Sequence, residues 1–101
     1  MSEIKPQGAV VHTIQIHLDE EMAQGVYSNL AMVNHGETEF TLDFIYVQPQ
    51  QPKAKVRARI ICTPKHTKRL LLALQENVER YEQRFGRIEL GAPPPEGSFV
   101  H

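Results

Sequence analysis

The chain has 101 residues, of which 41% are apolar, with 11 basic and 12 acidic residues and a formal net charge of -1. This is enough for one small domain and not two, and too apolar for a disordered chain. The neutral balance argues against a non-specific nucleic-acid binder, which carries a marked basic excess, and leaves room only for a local basic patch.

Residues 1–8 read as a loose arm, 9–88 as a single domain and 89–101 as a Pro/Gly-rich disordered tail. Val10 to Leu18 alternate, with Val10, His12, Ile14, Ile16 and Leu18 on one face, which predicts a first, half-buried strand. The acidic run Asp19-Glu20-Glu21 can start a single helical turn that Gly25 ends. Val26 to Val33 is the second strand, with neither face clearly polar. Asn34-His35-Gly36-Glu37 is a turn in which Gly36 is free to take positive φ. Glu39 to Gln48 is the third strand, Phe40, Leu42, Phe44 and Tyr46 pointing one way and Thr41, Asp43, Ile45 and Val47 the other. Pro49 and Pro52 bracket a loop, and Lys55 to Ile61 is the fourth strand, with Val56, Ala58, Ile60 and Cys62 facing inward.

A helix follows at once. Thr63 suits the N-cap, Pro64 the first helical position and Gly86 the stop. Leu71, Leu74, Val78, Tyr81 and Phe85 recur at spacings of three and four, an amphipathic stripe that Leu70 and Leu72 widen. The expected fold is α+β: a four-stranded antiparallel sheet (β-β-β-β-α) with one long C-terminal helix over the face of Phe40, Leu42, Phe44, Val56, Ala58 and Ile60. The other sheet face would then carry Tyr27, Ala31, Val33, Ile45, Val47 and Ile61, an apolar surface suited to a two-fold interface with a second copy. A small core makes such self-association, as dimer or tetramer, the expected source of stability.

The helix carries its charges against its own dipole. Lys65, His66, Lys68 and Arg69 crowd its start, whereas Glu76, Glu79 and Glu82 lie towards its end. The start could hold a phosphate or a nucleic-acid backbone. It could equally pair with Asp19, Glu20 or Glu21 of the same or a second chain. Lys53, Lys55, Arg57 and Arg59 form a second basic stripe, and a basic sheet face can track a nucleic-acid backbone. If Val47 lies opposite Lys55, antiparallel counting sets Asp43 opposite Arg59, and that pair would be structural.

Catalytic signals are thin. His12, His17, His35, His66 and His101 are dispersed, no Cys-x-x-Cys exists, and no metal or cofactor is expected. Cys62 precedes a helix start beside Lys65 and His66, surroundings that suit a reactive thiol, yet it continues the inward apolar series. The expectation is a non-enzymatic interaction module, with an as yet unknown protein partner, and a nucleic-acid or phosphate binder as the alternative. A single cysteine, no apolar segment of signal length in residues 1–7 and no membrane-length apolar run set the cytoplasm as the expected location.

Several segments together resemble a family of short bacterial and archaeal proteins known as domain of unknown function 3467. They are Gly25-Val26-Tyr27-Ser28-Asn29, Glu39-Phe40-Thr41-Leu42-Asp43-Phe44, Pro64-Lys65-His66-Thr67-Lys68-Arg69-Leu70, and the run from Asn77 to Gly86. The resemblance covers about residues 14–88 and implies a small cytoplasmic prokaryotic protein; it brings no activity, cofactor or site residue. The element order is also similar to the subunit of the secretory chaperone SecB, with no sequence motif in common, so this is a likeness of fold alone.

Overall fold

A computed structural model describes residues 13–92. Its elements are α1 (Glu20–Ala23), β1 (Leu30–His35), β2 (Phe40–Val47), β3 (Ala54–Cys62) and α2 (Pro64–Phe85). The strands form one antiparallel sheet in the order β1-β2-β3. The fold is thus α+β, with three strands among the described residues where four were expected. Residues 10–12 of the expected first strand lie outside the described residues, and 13–18 form no strand. Ile14, Ile16 and Leu18 are 67%, 80% and 66% exposed. Alternation makes a segment fit for a sheet, but a strand forms only where it pairs with a neighbour, and residues 13–18 pair with none of the described strands.

The sheet register decides which residues share a face, because directly paired residues project to the same side. Leu30 pairs with Ile45, Met32 with Asp43 and Val33 with Leu42. Across β2 and β3, Leu42 pairs with Ile60, Asp43 with Arg59 and Phe44 with Ala58. Then the register shifts. Ile45 pairs with Val56 and Tyr46 with Lys55, so Arg57 is an extra residue in β3, a β-bulge. The bulge moves Val56 from the Leu42–Phe44 side to the Ile45 side, and it explains why Lys55 lies opposite Tyr46 rather than Val47.

At the other end of β1, side chains prolong the ladder. The Asn29 carboxamide donates to the Val47 carbonyl (3.0 Å) and accepts from its N–H (2.8 Å). The Ser28 hydroxyl lies 2.9 Å from the Leu30 carbonyl and 3.0 Å from that of Ile45. The β1–β2 turn closes with the Gly36 N–H on the Glu39 carbonyl (2.9 Å), and Gly36 does not use positive φ.

α2 begins and ends as its sequence dictates. The Thr63 hydroxyl accepts from the His66 N–H (3.2 Å), and Pro64 occupies the first turn, where its missing donor costs nothing. Gly86 ends the helix at φ 100°, a conformation open to glycine.

The stripe of α2, however, does not lie over the sheet. No residue of α2 is buried, and Leu71, Leu74, Val78, Tyr81 and Phe85 are between 42% and 66% exposed. The physical reason is the connection. Only Thr63 separates β3 from α2, and a residue before proline is held extended, as it is here at φ -67°, ψ 157°. Such a link carries the chain onward; folding a helix back over its own sheet takes a reversing loop.

The core is correspondingly small. Among the described residues only Leu42, Asp43 and Ile45 are buried. The molecule measures 57 × 35 × 33 Å, with a radius of gyration of 17.6 Å, against about 13 Å for a compact domain of this length.

Replacing Thr63 with alanine removes the helix cap and is expected to cost about 1 kcal/mol, whereas Thr63→Ser keeps it. Thermal melts followed by circular dichroism check this; equal melting of the two variants would show that the cap contributes nothing.

Candidate functional site

The start of α2 brings Lys65, His66, Lys68 and Arg69 within two turns, all exposed. At about 100° per residue they spread over roughly 160° of the helix circumference, a broad band rather than a cradle. Backbone donors are few there as well. Pro64 has none, and the His66 N–H is taken by Thr63. Among the described residues no ion pair reaches Lys65, Lys68 or Arg69. The acidic α1 segment does not supply one: Asp19 lies 3.2 Å from His17 instead.

The basic stripe of β3 is divided by the bulge. Lys55 lies opposite Tyr46 and Arg59 opposite Asp43, on different faces, with Arg57 unmatched between them. Arg59 is committed. Its Nε and Nη2 donate to the two Asp43 carboxylate oxygens at 2.7 and 2.8 Å, a bidentate pair. The Asp43 side chain is 1% exposed and that of Arg59 is 48% exposed, so a sunken carboxylate is held by a half-solvated guanidinium. The hydrogen bond and the attraction of Asp43 hold the Arg59 guanidinium above its ordinary pKa. The expected Asp43–Arg59 cross-strand pair is therefore present.

The six residues expected to share one apolar face do not share it. Ala31 and Val33 pair with Phe44 and Leu42, while Ile45, Val47 and Ile61 belong to the opposite side with Val56, Ala54 and Thr41. Ile45 is 1% exposed and belongs to the core, whereas Tyr27, Val33 and Ile61 are 70%, 56% and 62% exposed. The error lay in the phase of the second strand. Its residues alternate without a polar face, so the sequence did not say which set meets Ile45. Tyr27 instead meets Tyr46 edge-on, ring centroids 6.0 Å apart.

Cys62 is a free thiol, half-buried opposite Phe40, and His66 is exposed. Among the described residues no group of His, Cys, Asp and Glu could hold a metal ion. No helix among them is long and apolar enough to cross a membrane.

The apolar stripe of α2 was legible as a helical face but was assigned to the wrong cover. Its residues Leu71, Leu74, Val78, Tyr81 and Phe85 remain 42% to 66% exposed. The role of Asn29 was not foreseen; the Ser28-Asn29 pair at the head of a strand was the available signal, since such side chains readily bond nearby backbone.

The family model described as a protein of unknown function, DUF3467, matches residues 1–90. No curated protein and no solved structure matches the chain. The likeness to SecB accordingly gains no structural neighbour, and the described residues show no fourth strand.

Arg59→Met leaves the Asp43 carboxylate sunken without its guanidinium and is expected to lower the melting temperature by several degrees. Adding Asp43→Leu should recover most of that loss, because a buried ion pair is more costly to break than to replace. Calorimetry decides; a double variant as unstable as the single one would show that the pair is not the source.

Proposed function

The chain belongs to the DUF3467 family, whose function is unknown, and we propose that it is a non-enzymatic interaction module that folds fully only on associating with itself. One observation carries this reading. Leu42 and Ile45 are the only buried apolar side chains among the described residues, while large apolar groups from Ile14 to Leu90 remain 40% to 90% exposed. A domain that buries so little has no adequate core of its own. Exposed apolar surface on this scale is the mark of an interface.

The chemistry at hand supports a binding role over catalysis. Cys62 and His66 lie near each other in sequence, yet the first is half-buried beneath a sheet partner and the second points to solvent from a helix start. Among the described residues no hydrogen bond or ion pair joins either side chain to a second titratable group, as a nucleophile and base would require.

Nucleic-acid or phosphate binding is the weaker reading. The bulge separates the strand cations, and Arg59 is occupied by Asp43. Charge on β3 also has a simpler use, since cations on an exposed edge strand deter edge-to-edge aggregation.

Light scattering on tag-free protein should give the mass of a dimer or larger assembly. Because association supplies the missing core, the melting temperature should rise with protein concentration. A folded monomer whose melting is independent of concentration overturns the proposal.

A further inference from the structure

We propose that the α2 helices of two copies pair antiparallel through the stripe Leu71, Leu74, Val78, Tyr81 and Phe85, and that this contact is what the reversed charge order of α2 serves. The inference rests on the self-association proposed above and names its seam.

The spacing comes first. Thr67, Leu71, Leu74, Val78, Tyr81 and Phe85 follow one another at alternating intervals of four and three residues. This is the narrow a/d seam of a coiled coil, Leu71, Val78 and Phe85 at a and Thr67, Leu74 and Tyr81 at d. The helix has 22 residues, a seam of about 33 Å at roughly 1.5 Å per residue.

Charge then selects the partner and its direction. The e positions that flank this seam are Lys68, Gln75 and Glu82, charges of opposite sign placed symmetrically about a neutral centre. When two such helices run antiparallel, Leu71 layers against Tyr81 of the second copy and Leu74 against Val78. Lys68 then faces Glu82 of the second copy, twice by symmetry, and Gln75 faces its own equivalent on the two-fold axis. On the other flank Asn77 also meets its own equivalent. In the single chain its carboxamide donates to the Ala73 carbonyl (2.9 Å), and its oxygen remains available. Glu82 accepts the Ile88 N–H through one carboxylate oxygen (2.9 Å), leaving the other for a lysine.

The same arrangement resolves the dipole conflict. Each basic helix start lies beside the negative, glutamate-bearing end of its partner, so charges that destabilise a lone helix stabilise the pair.

Charge reversal tests the seam. Lys68→Glu sets two like-charge contacts in each dimer and should raise the dimer dissociation constant roughly tenfold at low salt. Glu82→Lys should do the same, while the double variant Lys68→Glu/Glu82→Lys, and an equimolar mixture of the two single variants, should return towards the wild-type value. Circular dichroism confirms that each variant keeps its fold.

Spin labels supply an independent reading in a Cys62→Ala background of wild-type mass. Labels at Gln75 should lie close across the dimer, whereas labels at Lys68 should be about 21 Å apart along the axis, at roughly 1.5 Å per residue. Wild-type protein that is monomeric removes both this inference and the proposed function. A dimer in which charge reversal has no effect, or in which labels at Lys68 and Gln75 are equally close, overturns the antiparallel seam alone and leaves self-association standing.

Discussion

A single residue between strand and helix governs the shape of this protein. Thr63 is the whole connection from β3 to α2, and Pro64 confines it to an extended conformation. The chain therefore leaves the sheet along a new axis instead of doubling back over it. The same dipeptide is an efficient helix start, with the threonine as cap and the proline in the first turn. Local preferences are thus fully met at the junction, and their joint consequence is an amphipathic helix with no sheet beneath it.

The sheet shows the complementary problem. β2 has neighbours on both sides and contributes all the buried residues among those described, Leu42, Asp43 and Ile45. Among the described strands, β1 and β3 are both edges. Each edge is protected in a different manner: β3 by its cations and its bulge at Arg57, β1 by ending in polar groups at Asn34 and His35. Asp43 sits at the centre of this small core, where a charge is costly unless held, and the bidentate grip of Arg59 holds it. The pair ties the middle strand to an edge at the one place where an apolar contact would have been the ordinary choice. It also fixes the register on the near side of the bulge.

Much of this was legible in the residues. The helix from Pro64 to Phe85 was readable to the residue because cap, proline, periodicity and terminal glycine all agree. Counting across the hairpin from Val47 opposite Lys55 leads to the Asp43–Arg59 pair, yet Val47 pairs with Ala54, and it is the extra residue at Arg57 that brings Asp43 and Arg59 into register. The bulge itself left no trace, since Arg57 looks like any alternating strand residue. The expected strand through Ile14 and Ile16 was misjudged for a related reason: alternation records the capacity for pairing, not the presence of a partner. The candidate sites divide in the same way. The cations of the helix start are together because a helix places neighbours together, whereas the six apolar residues assigned to one sheet face depended on a strand phase that only pairing sets.

The sequence by itself determined what is local: the class of each described strand, the helix with both its ends, the amphipathic stripe and the reversed charge order. These depend on propensities and spacings that extend over a few residues. The tertiary structure alone decided which strand faces coincide, where the register slips and whether the stripe finds cover. Those outcomes turn on contacts between distant segments and on the reach of a one-residue link, and no periodicity within a single segment encodes them.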